Sequence, residues 1–280
     1  MFIIGIVGCG VVGSAFKRYI ENVCENRVLS HDKYKCSPNS MREIVESAQI
    51  IFLCLPTPSS SSSSYSGLVT DAATHAATND PISAMESAYA LDEINEILRF
   101  LEKSSFLGAI VIKSTLIPGT TENLQKKYSK LFLLHMPEFV SSRTIDYDFA
   151  HKRTPLYLGS SSHVPASLQN DTLSFLQTLF PRRTIWSMRS TETECVKLFC
   201  NVFYASKLRL FQRFYAICQR EENCSYDLVR QAMIQQEWIH PNHTVVPGTE
   251  GNLDIGGACL PKDLEAFARA YEDVSSTWKI

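Results

Sequence analysis

Residues 3–13 read IIGIVGCGVVG, and this stretch indicates the fold class. An apolar run of strand length, 3–7, leads directly into glycines at positions 8, 10 and 13, and apolar residues at helical spacing follow. A strand that passes through a Gly-x-Gly-x-x-Gly turn into a helix is the dinucleotide-binding fingerprint of a βαβ unit. The strand before it and the helix after it distinguish this match from a chance set of glycines.

Each residue of the fingerprint has a predicted task. Gly8 makes the tight turn, Gly10 lets the backbone approach a pyrophosphate, and Gly13 lets the helix pack on the strand. The first helical N–H groups, at Val11 and Val12, would face the phosphates, because a helix N-terminus carries partial positive charge. The stretch is therefore predicted to hold a dinucleotide.

An acidic residue stands where the second strand of such a unit ends. Asp32 lies 19 residues beyond Gly13, and its carboxylate would accept both ribose hydroxyls and repel a 2′-phosphate. The neighbouring Lys33 is assigned to the cofactor site with it. The sequence therefore predicts NAD rather than NADP as the cofactor.

The first half of the chain alternates short apolar runs with helical patterns, which is typical of parallel strands joined by crossover helices. The predicted strands are 2–7, 27–30, 50–55, 109–113, 131–135 and 156–158. The predicted helices are 11–22, 91–103 and 120–127. Between 58 and 90 the pattern fails, and the serine run 59–64 predicts a mobile, solvated insertion.

The second half changes character, because 184–240 contains neither glycine nor proline and carries apolar residues at helical spacing. We predict a long helix over about 191–220 and a shorter one over about 226–236. The long helix is apolar almost all round and has to be covered on more than one side, which favours a homodimer. The alternative is that the shorter helix and the C-terminal segment near Trp278 cover it within one chain. The predicted fold is α/β: a Rossmann-type parallel-sheet domain over 1–185 and a helical domain over 186–280.

Composition narrows the function further. The chain has 27 basic and 29 acidic residues, a balance that does not favour nucleic acid or an anionic membrane as the partner. Its nine cysteines are scattered without a Cys-x-x-Cys pair, which fits a reducing cytoplasm better than a zinc or disulfide scaffold. We therefore expect a soluble cytoplasmic protein with a small-molecule ligand and no metal.

A second glycine-containing motif, GGACLPKD, spans 256–263. Pro261 suits the first position of a helix, so Cys259 would lie just before a helix N-terminus, where the dipole favours a thiolate. Cys259 is thus a candidate nucleophile, although a small buried hydrophobe is an equally good interpretation. Asp263 would stabilise the start of the same helix.

Two polar residues share one face of the long helix. Lys197 and Asn201 stand at i and i+4, where an amine and an amide could together hold an oxyanion. A lysine on a helix is nearly always a solvated charge, so this spacing alone is weak support.

Together these blocks resemble the UDP-glucose/GDP-mannose dehydrogenase family, whose members oxidise a nucleotide-sugar alcohol to the acid with two NAD. The resemblance rests on the two glycine motifs with Asp32 and on the matching segments 55–58, 113–115, 118–120, 137–139 and 194–201, followed by Lys207. It implies that Cys259 is the nucleophile and that Lys197 and Asn201 stabilise oxyanionic intermediates.

The resemblance also implies roles for four smaller matches. Thr115, Glu138 and Asp263 would position water or act in acid/base steps. Thr57 would lie beside the cofactor, and Thr115 is assigned to the cofactor site as well.

The sequence departs from the family pattern in two places. Ser142 stands where a second glutamate usually activates water, and the chain ends at Ile280, where typical members continue into a domain that covers the nucleotide. We expect the nucleotide site to be incomplete or built differently. Two alternatives stay open: a 3-hydroxyacid-type dehydrogenase that transfers one hydride, and an inactive NAD-binding homologue.

Overall fold

A computed structural model describes residues 2–35, 37–59, 88–248, 253, 257 and 259–271. The chain divides into two compact units, the first unit at 1–197 and the second unit at 198–280. This division falls inside the long helix. Among the residues described, no helix is both long and apolar enough to cross a membrane.

The first unit contains a seven-stranded sheet with helices between the strands. Its strands are β1 (Ile3–Val7), β2 (Arg27–His31), β3 (Ile50–Leu53), β4 (Ala109–Ile112), β5 (Phe132–His135), β6 (Leu156–Ser160) and β7 (Ile185–Arg189). Its helices are α1 (Val11–Val23), α2 (Met41–Ser47), α3 (Asp92–Lys103), α4 (Thr120–Lys127), α5 (Ile145–His151) and α6 (Ala166–Leu179).

The strand order is β2-β1-β3-β4-β5-β6-β7, and β1 to β5 are all parallel. Strand β6 runs antiparallel to β5, and β7 runs parallel to β6. The predicted α/β fold is confirmed, with its six strands, whereas β7, α2, α5, α6 and the reversal at β6 were not predicted. Because β1 lies between β2 and β3, the order of the strands reverses beside the glycine motif, where open α/β sheets bind ligands.

Both faces of the sheet are buried, which explains the continuous apolar runs in its strands. Ile4 and Ile6 of β1 belong to the core on the face covered by Phe16 of α1. Ile51 of β3 belongs to the opposite core, together with Leu98 of α3. The packed sheet therefore fixes the positions of the loops that follow its strands at the carboxyl edge.

The predicted insertion between 58 and 90 is described at its two ends. Ser59 and Tyr89 form an antiparallel bridge, and the Ala90 N–H donates to the Pro58 carbonyl at 2.9 Å. The rest of the insertion, 60–87, lies outside the described residues.

The long helix α7 (Ser190–Cys218) begins in the first unit and continues into the second, which also contains α8 (Tyr226–Ile234) and α9 (Cys259–Ala270). The two predicted helices are confirmed to within two residues at each end. Helix α9 begins at Cys259, two residues earlier than Pro261 predicted, because proline is tolerated throughout a first turn whose N–H groups have no helical partner. A small core of Phe211, Cys218, Tyr226 and Val246 joins α7 to α8.

Candidate active site

The glycine turn after β1 is crowded at two of its glycines and open at the third. Gly8 has φ +92°, and a Cβ there would lie 2.5 Å from the Cys54 carbonyl oxygen. A Cβ on Gly13 would lie 1.9 Å from the Gly8 oxygen, so the close packing of helix on strand requires glycine. Gly10, the N-cap of α1, has no atom within 4 Å of its Cβ position, and Val11 beside it is 61% exposed. This geometry fits a pyrophosphate at the start of α1.

Asp32 lies directly beside the glycine turn. Its two carboxylate oxygens accept the Cys9 N–H at 2.7 Å and the Tyr34 N–H at 2.9 Å. Burial acts to raise the pKa of Asp32, but these N–H groups and the nearby Lys35 ammonium hold it below its ordinary value. Each oxygen retains a further lone pair for a ribose hydroxyl. The position therefore fits the adenosine ribose of a dinucleotide.

The side chains of Lys33 and Val12, also assigned to the cofactor site, make other contacts in the structure. The Lys33 ammonium pairs with Glu96 of α3 at 2.7 Å on the surface, and Val12 packs on the core of the first unit. Only the backbone of Val12 is therefore available to a phosphate.

Two side chains tie together the loops that follow β3 and β4. The Thr57 hydroxyl donates to the Thr115 carbonyl at 2.9 Å, and the Ser114 hydroxyl donates to the Leu55 carbonyl at 2.6 Å. Thr57 is buried and Thr115 is half-buried. These loops form one wall at the carboxyl edge of the sheet, the same edge as the glycine turn.

Glu138 is held in a buried ion pair. Its Oε1 contacts the ammonium of Lys113, whose charge lies 4.6 Å from the ring centre of Phe16 and 5.9 Å from that of Phe52. Within the described residues its Oε2 has no hydrogen-bond partner. Ser142, at the position of the family's second glutamate, is exposed.

A buried histidine connects the loop after β4 to the first turn of α7. His135 lies 3.0 Å from the Ser114 carbonyl through Nε2 and 2.8 Å from the Thr193 hydroxyl through Nδ1. Burial lowers the pKa of His135 to about 4, and the charges of Lys113 and Lys197 act in the same direction. The ring is therefore neutral near pH 7.

Glu194 fastens α7 to the start of α4. Its carboxylate accepts the N–H groups of Gly119 at 2.6 Å and Thr121 at 2.8 Å, and the Thr121 hydroxyl at 2.6 Å. Burial raises the pKa of Glu194 to about 7 although these donors oppose the shift. One turn further along α7, the Lys197 ammonium lies 5.0 Å from the ring centre of Phe139. Glu194 thereby fixes the rotation of the helix that carries Lys197.

The second unit brings two of the predicted catalytic residues into contact, on the helix that a third begins. Asn201 donates through Nδ2 to Oδ2 of Asp263 at 2.6 Å, and both side chains are buried. The ammonium of Lys262 lies 2.5 Å from the other oxygen of Asp263. Cys259, the first residue of the same helix, is exposed. The interpretation of Cys259 as a buried hydrophobe is wrong.

Sequence reasoning missed several polar residues around these groups, of which His135 and Lys113 are buried. His135, Lys113 and Lys262 received no role, and Lys35 was not connected with Asp32. Lys113 carried the clearest signal, because a charge directly after an apolar strand needs a partner in the folded protein. The partner, Glu138, lies in the segment after β5, and the sequence alone does not reveal this pairing.

Fold and site together define a protein of the dinucleotide-binding α/β class with a helical unit that presents a cysteine at a helix start. Residues 14–165 match the UDP-glucose/GDP-mannose dehydrogenase family, NAD binding domain, and residues 191–280 match its central domain. The chain belongs to this family, and its cofactor is NAD.

Individual relatives agree with this assignment. The UDP-glucose 6-dehydrogenase of Campylobacter jejuni is 23% identical over 189 residues, which cover 66% of this chain and 44% of that protein. The UDP-N-acetyl-D-mannosamine dehydrogenase of Pyrococcus horikoshii is 24% identical over 266 residues, 90% of this chain and 54% of that protein. The chain spans between 38% and 54% of the length of the curated relatives that it matches.

Solved structures show the same fold. A UDP-glucose dehydrogenase from Pyrobaculum islandicum aligns with a TM-score of 0.75 at 20% identity, covering 98% of this chain and 65% of that one. The GDP-mannose dehydrogenase of Pseudomonas aeruginosa, solved as a ternary complex, aligns with a TM-score of 0.62 at 18% identity, covering 98% and 64%.

Proposed function

We propose that this protein oxidises a nucleotide sugar, UDP-glucose to UDP-glucuronate, with NAD and through a covalent intermediate on Cys259. The observation that carries the proposal is the buried contact between Asn201 and Asp263 beside the exposed Cys259 at the start of α9. Cys259 and Asp263 stand four residues apart on α9, a spacing that puts them on one face of the helix. The relatives' names supply the substrate class.

NAD, when bound, supplies the hydride acceptor for the two oxidations that convert a primary alcohol to an acid. In our proposal the chain's own residues carry out the remaining steps, which are capture of the aldehyde, stabilisation of charge and proton transfer. After the first oxidation the Cys259 thiolate adds to the aldehyde carbon to give a thiohemiacetal, and the second oxidation leaves a thioester that water hydrolyses. Covalent capture on Cys259 keeps the reactive aldehyde from escaping.

Each addition to the carbonyl builds negative charge on its oxygen, and fixed donors stabilise that charge. We assign this task to the Lys197 ammonium and the Asn201 amide. The hydrogen bond to Asp263 holds the amide of Asn201 in one orientation, so the donor group is arranged before the reaction begins.

Proton transfer and water positioning are assigned to Glu138, Thr115 and Asp263. The buried ion pair with Lys113 holds the Glu138 carboxylate in place. Ser142 cannot act as a base, so our proposal places water activation on the remaining groups.

Counting NADH formed per substrate consumed tests the proposal. A ratio of two supports the four-electron oxidation, a ratio of one supports the 3-hydroxyacid alternative, and none supports an inactive homologue. Thermal shift with UDP-glucose, UDP-N-acetylglucosamine-type sugars and GDP-mannose then identifies the substrate, because a ligand that binds only the folded state raises its stability.

A homodimer in the reducing cytoplasm is part of the proposal. Four large apolar side chains of α7 remain exposed: Phe199 at 51%, Phe203 at 62%, Leu210 at 38% and Ile217 at 54%. At 100° per residue all four fall on one stripe of the helix. The small core around Phe211 covers a different side of α7, so a second subunit is the proposed cover for this stripe.

A further inference from the structure

Two cysteines lie at opposite ends of the turn that joins α7 to α8. Cys218 is the last residue of α7, and Cys224 directly precedes Ser225, whose hydroxyl caps α8. The turn is ordered by backbone hydrogen bonds from Arg220 and Glu221 to the Ile217 carbonyl, at 2.9 and 3.2 Å. The backbone that follows Cys218 therefore has a defined conformation at the start of the turn.

The two cysteines are neighbours at one small core, to which Cys218 belongs and on which Cys224 packs. The adjacent Cys224 thiol, together with burial, raises the pKa of Cys218. Cys218 is buried in the core of the second unit beside Phe211 and Tyr226, and the half-buried Cys224 packs against the same core. The pair thus has one protected sulfur and one that a small oxidant can reach.

We infer that Cys218 and Cys224 form a redox-modification site that closes to a disulfide when a hydroperoxide oxidises it. The Cys224 thiolate attacks an oxygen of hydrogen peroxide, the O–O bond breaks, and the departing hydroxide takes up a proton, so that a sulfenic acid and one water form; an organic hydroperoxide releases an alcohol in place of this water. The Cys218 sulfur then attacks the sulfenic sulfur, the S–S bond forms, and the hydroxyl leaves as a second water. Two thiols lose two electrons and one peroxide gains them, and an external dithiol reverses the change.

The disulfide would link the end of α7 to the start of α8. A short cross-link restricts the unfolded chain, so we expect the oxidised protein to melt a few °C higher, on the order of 5 °C. The site stands apart from Cys259 and from the proposed oxidation of a sugar, and its test needs no substrate.

The sequence around the pair allows a direct test by mass spectrometry. Trypsin cuts after Arg213, Arg220 and Arg230 and places the two cysteines on separate peptides, 214–220 and 221–230. After treatment of the folded protein with hydrogen peroxide and alkylation of the remaining thiols, we expect these peptides to be joined, two hydrogen atoms lighter than their sum. Dithiothreitol should separate them.

Two controls sharpen the result. Cys218→Ser and Cys224→Ser should each abolish the joined species, whereas Cys195→Ser, on the same helix, should retain it. Wild type unfolded in urea should lose the preference and pair the two cysteines with others as well. The inference would be overturned if both peptides were recovered separate and alkylated at a peroxide dose that oxidises other cysteines of the folded chain. It would also be overturned if Cys224 paired mainly with a third cysteine.

Discussion

The side-chain amide of Asn201 on α7 donates a hydrogen bond of 2.6 Å to Oδ2 of Asp263 on α9, and both residues are buried. A buried carboxylate needs partners, and Asp263 has this amide and the Lys262 ammonium. The contact connects the candidate oxyanion donor on the long helix with the segment that begins at Cys259. Its loss should therefore affect chemistry as well as stability.

Replacing Asp263 with Asn tests this connection. The variant keeps the shape but removes the charge that orients Asn201 and pairs with Lys262. We expect kcat to fall on the order of 100-fold or more, as is typical when a group that acts in proton transfer is lost. The dissociation constant of NAD, measured by fluorescence titration, should stay within about twofold.

Asp227→Asn is the matched control for this change, because Asp227 is exposed in the first turn of α8. Its activity should equal that of wild type. If Asp263→Asn turned over normally, Asp263 would be a structural residue only.

Cys259→Ser should retain NAD binding and lose steady-state turnover. A serine hydroxyl is far weaker than a thiolate as a nucleophile toward the aldehyde, so no thioester can form. Steady-state NADH production, followed by absorbance, should fall to background, while Cys224→Ser in the reduced protein should leave it unchanged. Equal rates in Cys259→Ser and wild type would remove the covalent mechanism and favour the single-hydride alternative.

Asp32→Ala should weaken the preference for NAD over NADP. The carboxylate of Asp32 would face a 2′-phosphate at close range, and its removal leaves the nearby Lys35 ammonium without an opposing charge. We expect the ratio of kcat/KM values, NAD over NADP, to drop about tenfold or more, which corresponds to roughly 1.4 kcal/mol. Asp171→Ala, on the surface of α6, serves as the control. Equal use of the two cofactors by wild type would contradict the assignment of Asp32.

The first half of the fold could be predicted because its determinants are local. Within one strand–turn–helix unit, the positive φ of Gly8 and the close approach of Gly13 to the Gly8 oxygen both require glycine, and continuous apolar runs identify the buried strands. The antiparallel β6 could not be predicted in this way. Its direction depends on pairing with β5, across α5, and periodicity carries no information on the direction of a strand.

The same distinction applies to the candidate site. Asp32 and Cys259 are identified by their distance from a local motif. The ion pair of Lys113 with Glu138 and the contact of Glu194 with the start of α4 join segments far apart in the chain, and only the folded backbone brings them together.

Glu194 should make the stability of the protein depend on pH between about 4.5 and 7. Its folded-state pKa of about 7 lies above the ordinary value of 4.5, so the folded state binds the proton more tightly than the unfolded one. The stabilisation is complete below pH 4.5 and is lost as pH rises through 7, on the order of 3 kcal/mol in all. Urea unfolding at pH 5 and pH 8 measures this loss.

Glu194→Gln should lack this pH-dependent stabilisation. The difference in the free energy of unfolding between this variant and wild type should therefore change between pH 5 and pH 8. Glu46→Gln, which alters an exposed glutamate of α2, should follow wild type at both. Parallel pH profiles for wild type and Glu194→Gln would show that the carboxyl keeps its ordinary pKa.

The exposed stripe of α7 predicts the effect of a charge at its centre. Phe203, Leu210 and Ile217 recur every seven residues and present a continuous apolar edge, which a second copy of the same helix can cover through a two-fold axis. Wild type should therefore scatter light as a dimer of 31.5 kDa chains at micromolar concentration. Phe203→Asp should give the monomer mass, because a dimer would bury an unpaired carboxylate. Tyr147→Asp, at an equally exposed aromatic of α5, should remain dimeric, and a monomeric wild type would exclude this interface.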